Sequence, residues 1–190
     1  FPVGAIAGFC NMLDKLVKEE KEKKGITNLL VVFDASGKTF RNDIYPNYKA
    51  NRSEAPEDLI PQFPVIRKAT EAFNIPYVEL MGYEADDLIA SYSRAAQKEN
   101  MKVTIVSSDK DLMQLVSDNV SMLDTMKNKI VQKEEVYEKF GVYPEKVIDV
   151  QSLAGDSVDN IPGVPGIGIK TAALLINCLL YTSPSPRDLA

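Results

Sequence analysis

Two short apolar runs without polar alternation constrain the fold of this chain more than any other feature. The runs are LLVVF at residues 29–33 and KVTIVSS at residues 102–108. A strand that faces water on one side alternates apolar and polar residues, whereas a strand buried on both faces does not. Both runs stop at acids, the first at Asp34 and the second at Asp109 and Asp111. This pattern is typical of an α/β protein with a buried, mostly parallel sheet.

Amphipathic helical patterns alternate with these strands. Helices are predicted over residues 3–24, where Gly25 would end the helix, and over residues 57–73 and 84–99. YVEL at residues 77–80 predicts a short strand, and DLMQLV predicts a short helix. VSMLD and KIV predict strands at one edge of the sheet. The alternation of strand and helix supports the α/β class.

The character of the sequence changes at its C-terminal end. Short helices are predicted at 134–140 and 144–153, and a glycine-rich stretch follows them. We therefore expect an α/β core at residues 1–133 and a small helical module at residues 134–177. The final letters, NCLLYTSPSPRDLA, have a disordered composition and resemble a translated sequencing adapter. We expect this stretch not to continue the preceding helix, and residues 178–190 to be a non-native tail.

Residue types that are rare in this chain exclude several kinds of chemistry. The 190 residues contain no histidine, which excludes Ser-His-Asp and Cys-His catalysis and ordinary zinc sites. The two cysteines, Cys10 and Cys178, show neither metal-ligand nor disulfide spacing, and this favours a reducing, cytoplasmic setting. No apolar run approaches the ~20 residues that a membrane span needs, and no signal peptide is visible. Chemistry here must use carboxylates, Lys, Tyr or a metal bound by oxygen.

Eight acids fall at strand ends, helix starts or a glycine-flanked turn, and ligands of open α/β sheets bind at the carboxyl ends of the strands. They are Asp34, Glu84, Asp86, Asp87, Asp109, Asp111, Asp156 and Asp159. Gathered at one point, these carboxylates would repel one another unless cations neutralised them, and Mg²⁺ is the ion that best fits oxygen ligands. Two such ions about 4 Å apart can activate water and stabilise the oxygens of a phosphodiester. Taken singly, each acid has an ordinary alternative as a helix cap or turn former.

The stretch GVPGIGIKTAALLI predicts a hairpin that grips a nucleic-acid backbone without reading its bases. Glycines permit tight turns and close approach, and the helix that follows has free N–H groups at its start. The residues expected to meet the backbone are Gly163, Gly166, Gly168, Lys170 and Thr171. A simple helix–helix turn stays open as an alternative, whereas a dinucleotide-binding loop is disfavoured because no strand precedes these glycines.

Residues 35–56 form a locally basic segment in a chain whose net charge is −5. Four cations stand against two acids there, and aromatic rings are interleaved with them. The cations are Lys38, Arg41, Lys49 and Arg52, and the rings are Phe40, Tyr45 and Tyr48. Cations that neutralise phosphates beside rings that stack on bases suit single-stranded nucleic acid, although a solvated mobile loop is the plain alternative.

In order and spacing, these motifs resemble the 5′-nuclease domain of bacterial DNA polymerase I, which is related to flap endonucleases. The resemblance is carried by VVFDA, FR, YKANR, GYEADDLIA, SSDKDLMQLV and LAGDSVDNIPGVPGIGIKTA, and it runs from about residue 3 to residue 176. It implies a PIN-like core with a helical arch at about residues 35–56. It also implies a helix-three-turn-helix (helix-hairpin-helix-type) module after the core.

The resemblance further implies a metal-dependent enzyme that hydrolyses DNA at 5′ ends, 5′ flaps or nicks in replication and repair. The eight acids would hold two Mg²⁺ ions, for which Mn²⁺ can substitute. Arg41, Tyr48, Lys49 and Arg52 would hold the 5′ strand, and Arg41 and Lys49 would neutralise charge on the scissile phosphate. The hairpin at 163–171 would hold the duplex with a monovalent cation such as K⁺. The protein would act as a monomer away from membranes, with a polymerase domain on the same chain in some relatives.

One departure from the family pattern affects what is expected of this chain. Family members begin with a central strand that ends in a metal-binding Asp, well before the point where this sequence starts. We therefore expect an N-terminal strand and one ligand to be missing, and a fragment of this extent to be a poor nuclease. A branched-DNA-binding module without catalysis is the main alternative. A PIN-type ribonuclease is disfavoured by the glycine hairpin and the long basic loop.

Overall fold

A computed structural model describes residues 2–22 and 25–179 of the chain. Its helices are α1 (Gly4–Leu16), α2 (Phe40–Ile44), α3 (Phe63–Ala72), α4 (Ala85–Lys98), α5 (Lys133–Phe140), α6 (Val147–Ala154) and α7 (Ile169–Leu179). Its strands are β1 (Val31–Val32), β2 (Tyr77–Val78), β3 (Val103–Val106), β4 (Val120–Asp124) and β5 (Lys129–Val131). A π-helical turn covers Val17–Glu22, and 3₁₀ turns cover Ile60–Gln62, Lys110–Leu115 and Pro144–Lys146.

The chain divides into two compact units, each of which is described by itself. The first contains the residues up to Phe40 together with Arg52–Leu88, and the second contains Arg41–Asn51 together with the residues from Ile89 onward. The predicted division between residues 133 and 134 falls inside the second unit and stays a prediction. Within the described ranges, no helix combines the length and the apolar character needed to cross a membrane.

In the first unit, β1 and β2 form a parallel pair with Val31 opposite Tyr77. The Phe33 N–H extends this pairing by donating to the carbonyl of Val78 at 2.9 Å. The Phe33 ring lies against Phe9 of α1, with centroids 6.0 Å apart, and against Tyr77 at 5.5 Å. These ring contacts hold the end of β1, where Asp34 follows.

A buried glutamine supplies the cap that the start of α1 lacks. No side chain at the N-cap of α1 accepts a hydrogen bond from the first turn. The Oε1 of Gln62 accepts from the N–H groups of Ala5 and Ile6 at 3.0 and 3.2 Å. Because Gln62 immediately precedes α3, this contact joins the two helices and satisfies orphan donors of α1.

In the second unit, β4 is the central strand of a mixed sheet. It pairs with β3 in parallel and with β5 in antiparallel orientation, which places Val103 opposite Val120 and Met122 opposite Val131. Alternate residues of β4 are buried, beginning at Val120, while Ser121 between them is half-buried. The sheet packs on a core that includes Met122, Val136, Phe140, Val142, Val147 and Val150.

Small residues allow α7 to pack closely against the end of α5. Ala172 and Ala173 of α7 are buried. Gly141 ends α5 with a φ of +72°, a conformation that favours glycine. A Cβ at Gly141 would lie 3.0 Å from the Cβ of Ala173, so a larger residue at either position would push the two helices apart.

The α/β class predicted from the sequence is confirmed, although several elements are shorter than predicted. The runs at 29–33 and 102–108 contribute only Val31–Val32 and Val103–Val106 to the sheets. A strand extends only as far as its neighbour supplies hydrogen-bond partners, and apolarity alone does not set that length. DLMQLV belongs to a 3₁₀ turn, Lys110–Leu115, rather than an α-helix.

The prediction that the final stretch does not continue the preceding helix is wrong for its first residues. Helix α7 runs through Leu179. The Asn177 side-chain amide donates to the carbonyl of Gly141 at 2.9 Å, which ties this last turn to the end of α5. Residues 180–190 of the predicted tail lie outside the described residues.

Candidate metal centre and nucleic-acid interface

Asp34 follows β1, and its side chain caps the start of α4. Its Oδ1 accepts a hydrogen bond from the Ala85 N–H at 2.7 Å. One residue earlier, the Glu84 N–H donates to the Asp87 Oδ2 at 3.0 Å. Both contacts satisfy N–H groups that a helix start leaves without partners. The capping alternative is thus confirmed for Asp34 and Asp87, and Asp86 lies in the same first turn.

Arg67 fixes the backbone that carries Asp34. Its Nη2 donates to the Asp34 carbonyl at 3.2 Å, and its Nε donates to Glu79 at 2.7 Å. The guanidinium carbon lies 5.1 Å from the centre of the Phe33 ring. Arg67 is therefore held by charge and by stacking while it supports the segment after β1. No sequence pattern signals this role, because Arg67 is a single basic residue on a helix and belongs to no spaced motif.

In the second unit, Lys110 lies between two of the predicted metal ligands. Its Nζ is 2.5 Å from the Asp156 Oδ2 and 3.8 Å from the Asp111 Oδ1. Asp111 also accepts a hydrogen bond from the Gln151 side-chain amide at 2.5 Å. Asp109 caps the 3₁₀ turn by accepting from the Asp111 N–H at 2.9 Å. Two predicted ligands, Asp111 from the segment after β3 and Asp156 from the turn after α6, therefore contact one ammonium group. The third, Asp109, caps the turn that carries Lys110.

The shared position shifts the pKa values of all three charged groups. Burial favours the neutral forms, and it raises the pKa of the Asp111 carboxyl despite the Gln151 hydrogen bond and the Lys110 charge. For Asp156, burial is outweighed by the hydrogen bonds from Lys110 and from the Val158 N–H, so its pKa is lowered. For Lys110, burial is outweighed by the hydrogen bond to Asp156 and the nearby carboxylates, so its pKa is raised. The site thus stabilises the charged forms of Lys110 and Asp156, whereas burial favours the neutral form of Asp111.

Asp159 joins the turn after α6 to the segment that contains Tyr48 and Lys49. The Tyr48 hydroxyl donates to the Asp159 Oδ2 at 3.2 Å, and the Lys49 N–H donates to the Asp159 carbonyl at 2.9 Å. The Lys49 Nζ is 3.8 Å from the same carboxylate. Lys49 has a φ of +56°, a conformation uncommon outside glycine, so several contacts maintain it.

Two asparagines reinforce the attachment of this basic segment. The Asn51 side chain donates to the Ser157 carbonyl at 2.8 Å, and the Asn160 side chain donates to the Asn47 carbonyl at 2.8 Å. These contacts hold residues 45–51 in place. A fully solvated mobile loop, the plain alternative for the whole segment, therefore does not fit residues 45–51. Arg52 and the residues that follow it up to Asp58 are exposed.

Tyr48 is buried, which bears on the stacking role expected for the rings of the basic segment. Only 7% of this residue is exposed, and the Lys49 Nζ lies 4.9 Å from its ring centre. So little exposure leaves the ring poorly placed to stack on a base, and a DNA-binding role for Tyr48 stays a prediction. The sequence does not signal this burial, because the segment has no hydrophobic period that separates buried from exposed positions.

The predicted hairpin consists of successive turns between α6 and α7. Asp156 and Ile161 exchange backbone hydrogen bonds at 2.9 and 2.7 Å, and the Val164 N–H donates to the Leu153 carbonyl at 2.8 Å. Gly163 lies where a Cβ would meet the Ala154 backbone at 2.3 Å. Gly163 therefore permits the two backbone segments to touch, and Gly155, which the sequence reasoning did not single out, is the other half of that contact.

The remaining hairpin residues lie on open surface. Gly166 has a φ of +79°, which a turn here requires, and neither Gly166 nor Gly168 has an atom within 4 Å of an added Cβ. Lys170 and Thr171 are exposed in the first turn of α7. Gly163 thus serves packing, while Gly166, Gly168, Lys170 and Thr171 leave room for a ligand at the start of α7.

The candidate ligands are all carboxylates, a chemistry that suits a hard cation. Among residues 2–22 and 25–179, no group of three acidic or cysteine side chains is arranged to hold a metal ion. The chain's own donors, such as Ala85 and Lys110, bond to these acids instead. The donor atoms of all the candidate ligands are oxygens, the type that Mg²⁺ and Mn²⁺ prefer. Asp111 and Asp156 already share one positively charged partner, the Lys110 ammonium. A single eight-acid cluster stays a prediction.

Comparisons with known proteins agree with one another. A family model described as "5′-3′ exonuclease, N-terminal resolvase-like domain" matches residues 1–141, and one described as "5′-3′ exonuclease, C-terminal SAM fold" matches residues 142–180. The chain is 60% identical to a DNA polymerase I of Rhizobium leguminosarum over 92% of its length. It is 48% identical to a 5′-3′ exonuclease of Aquifex aeolicus over 90% of its length.

A solved structure of bacteriophage T5 shares this fold. It is described as the D15 flap endonuclease in a pseudo-enzyme–product complex with DNA and metal ions. The TM-score is 0.78 at 25% identity, and the match covers 94% of this chain and 72% of the T5 chain. This chain spans 18% of the Rhizobium polymerase and 58% of the Aquifex exonuclease.

Proposed function

The chain belongs to the 5′-3′ exonuclease family, and on that premise we propose that it is a metal-dependent nuclease. Its substrate would be DNA with 5′ ends, 5′ flaps or nicks, and its reaction would be hydrolysis of a phosphodiester. Mg²⁺ is the proposed ion, two ions are proposed for the eight acids, and Mn²⁺ is expected to substitute because it takes similar ligands. Action as a cytoplasmic monomer, with a polymerase domain on the same chain as in the Rhizobium relative, is part of the same proposal.

The position of Lys110 is the observation that carries this proposal. Its ammonium is 2.5 Å from Asp156 and 3.8 Å from Asp111, so two acids far apart in sequence converge on one positive charge. Hydrogen bonds fix both carboxylates independently of Lys110, since Gln151 donates to Asp111 and the Val158 N–H donates to Asp156. Carboxylates held in place in this way are suited to bind a divalent ion.

Each part of the chain has a separate task in the proposed reaction. When bound, a divalent ion would supply an activated water and neutralise charge on the phosphodiester. Asp111 and Asp156 would hold it in the second unit, and Asp34 and the acids at the start of α4 are the proposed ligands of the first unit. Arg41 and Lys49 would neutralise charge that develops on the phosphate, with Arg52 placed to meet the 5′ strand.

The start of α7 is the proposed contact with duplex DNA. Gly166, Gly168, Lys170 and Thr171 are exposed, and a Cβ added at either glycine would meet no atom within 4 Å, so the phosphate backbone could approach these residues closely. A monovalent cation such as K⁺ at the 163–171 hairpin belongs to the same proposal. Replacing K⁺ by a large organic cation should weaken duplex binding if the hairpin uses the ion.

Cleavage of a 5′-flap DNA labelled at its 5′ end tests the proposal. The protein should release labelled product with Mg²⁺ and none with EDTA. Asp111→Asn should lower the rate by about 100-fold or more, because it removes a charge from the reacting site. Asp118→Asn is the matched control, since Asp118 is exposed and its carboxylate pairs with Lys133. Equal rates for wild type and Asp111→Asn would contradict the metal-dependent mechanism.

A branched-DNA-binding module without catalysis is the second candidate. The observation in its favour is that no three acids in the described part of the chain are arranged to hold one metal ion. This candidate predicts salt-dependent binding to flap DNA and no product with Mg²⁺ or Mn²⁺. Binding without cleavage by a protein that retains a cooperative unfolding transition would favour it over the nuclease.

A further inference from the structure

The Lys110 side chain occupies the position between two carboxylates that the proposed metal would need. It comes from the 3₁₀ turn Lys110–Leu115 and reaches Asp156, whose side chain is 10% exposed. The Lys110 and Asp111 side chains are 31% and 30% exposed. The ammonium is therefore partly screened from water and in contact with oxygen atoms from two separate segments.

A divalent ion and this ammonium cannot both remain in that position. Mg²⁺ binds carboxylate oxygens at about 2.0–2.1 Å, and an ammonium 2.5 Å from one of those oxygens would crowd the ion. Like charges a few ångströms apart also repel strongly where water is partly excluded. Binding of the ion to Asp111 and Asp156 must therefore move Lys110 away from at least one of them.

The two carboxylates would keep their orientation after Lys110 leaves. Asp111 retains the hydrogen bond from Gln151 at 2.5 Å. Asp156 retains hydrogen bonds from the N–H groups of Val158 at 2.8 Å and Asp159 at 3.4 Å. Lys110 itself sits on a flexible four-carbon chain, so it can swing toward solvent without a change in the backbone.

We propose that Lys110 is a built-in counter-ion that a divalent metal displaces from Asp111 and Asp156. Lys110 stabilises the two facing carboxylates in the metal-free protein and competes with the metal for them. The chain therefore holds the metal more weakly than the carboxylates alone would. The inference rests on the proposed metal-dependent function, since it assigns Asp111 and Asp156 to that metal.

Metal binding to the protein tests this inference without a cleavage assay. Mn²⁺ affinity is measured by calorimetry and by the quenching of free-Mn²⁺ electron paramagnetic resonance. Lys110→Met should bind Mn²⁺ about tenfold more tightly than wild type, because a competing charge is gone. In EDTA, the same variant should unfold at a lower temperature, because two carboxylates then face each other. Lys110→Arg keeps the charge and should retain the weaker affinity of the wild type.

Two further variants separate this effect from general changes in charge or folding. Lys133→Met removes an equally charged side chain that bonds to Asp118 at 2.7 Å, and it should leave Mn²⁺ affinity unchanged. Lys110→Gln keeps a hydrogen-bond donor without the charge and is measured beside Lys110→Met in case the latter does not fold. Lys110→Gln should also bind Mn²⁺ more tightly than wild type.

The possible results distinguish failure of this inference from failure of the proposed function. If folded wild-type protein shows no saturable Mn²⁺ binding that Asp156→Asn weakens, the proposed metal site itself is wrong. If wild type binds Mn²⁺ through Asp156 but neither Lys110→Met nor Lys110→Gln binds more tightly, the counter-ion role is overturned. Weaker binding by both variants would also overturn it, since Lys110 would then support the metal site.

Discussion

The Asp34 carboxylate accepts a hydrogen bond from the Ala85 N–H at 2.7 Å. Asp34 therefore caps helix α4. It is also a candidate metal ligand, together with the acids in the first turn of α4. These two roles depend on different properties of the side chain. The cap needs an acceptor oxygen, which an amide also provides, whereas a metal ligand needs the negative charge.

Substitutions at Asp34 should separate the two roles. Asp34→Asn keeps the acceptor and should change the free energy of unfolding by less than about 0.5 kcal/mol, whereas Asp34→Ala should lower it by about 1 kcal/mol. Both should abolish the proposed cleavage because both remove the charge. Urea unfolding and a 5′-flap assay measure the two effects. Full activity of Asp34→Asn would show that the charge of Asp34 is not used.

The Tyr48 hydroxyl should contribute to stability rather than to DNA binding. It donates to Asp159 at 3.2 Å, and the residue is 7% exposed. Tyr48→Phe should lower the free energy of unfolding by about 1 kcal/mol, since the buried Asp159 loses a donor. Tyr143→Phe is the control, because Tyr143 is 48% exposed and its change should stay within about 0.5 kcal/mol. Equal stability of wild type and Tyr48→Phe would argue that the hydroxyl faces water.

The lowered pKa of Asp156 gives a pH dependence of known sign. Because its folded pKa is below the ordinary value of 3.8, ionised Asp156 stabilises the fold above pH 3.8, and this contribution is lost as pH falls through the folded pKa. Asp156→Asn should lower the free energy of unfolding by about 1–2 kcal/mol at neutral pH in EDTA. The difference from wild type should narrow as pH falls below 3.8.

A control variant distinguishes this effect from the general acid sensitivity of carboxylates. Asp149→Asn removes a more exposed carboxylate that pairs with Lys146 at 3.3 Å, and it should change stability by less than about 0.5 kcal/mol. A difference between wild type and Asp156→Asn that stays constant down to the acid transition would contradict the lowered pKa. Denaturant unfolding monitored by circular dichroism at several pH values measures both variants.

The proposed DNA contact of Lys170 should appear in the salt dependence of binding. Each phosphate contact adds about 0.9 to the slope of log K against log salt concentration. Lys170→Gln should reduce that slope by about 0.9 for flap DNA, and Lys98→Gln, which changes an exposed lysine at the end of α4, should not. Fluorescence anisotropy across a salt series measures the slopes. A slope that Lys170→Gln leaves unchanged would remove Lys170 from the interface.

The sequence predicted the fold class better than it predicted the boundaries of the helices and strands. The apolar runs before Asp34 and Asp109 do form strands, because burial on both faces demands continuous apolarity. Their lengths were overestimated, since pairing depends on where the neighbouring strand lies. The disordered composition of the final letters predicts no helix there, whereas the last turn of α7 is held by a contact between Asn177 and the carbonyl of Gly141, which is distant in sequence.

The candidate site shows a similar division between what sequence patterns reveal and what they do not. Asp111 and Asp156 belong to the eight acids that the sequence predicts to be metal ligands, and the structure brings these two to Lys110. Arg67 and Gln151 could not be found, because an isolated polar residue on a helix carries no spacing that marks its partner. Burial of Tyr48 depends on a tertiary contact with Asp159, which a segment without a hydrophobic period does not encode locally.

Gly163 and Gly168 form a matched pair that separates folding from DNA contact in the hairpin. A Cβ at Gly163 would lie 2.3 Å from both the carbonyl carbon and the oxygen of Ala154 and 2.6 Å from the Gly155 nitrogen, all backbone atoms. Gly163→Ala should therefore lower the free energy of unfolding by about 3 kcal/mol or more, since neither segment can yield cheaply. A Cβ at Gly168 meets nothing within 4 Å, so Gly168→Ala should fold as wild type or gain up to about 1 kcal/mol.

When DNA binding is compared at equal folded fraction, Gly168→Ala should lose more affinity than Gly163→Ala. The added methyl group of Gly168→Ala would stand between the start of α7 and a phosphate backbone, so flap-DNA affinity should fall several-fold despite normal stability. Thermal unfolding and anisotropy on the same samples measure both properties. If Gly168→Ala binds DNA as tightly as wild type, the backbone does not approach at residue 168. Contact would then be confined to side chains such as Lys170, because only a close main-chain approach is sensitive to one methyl group.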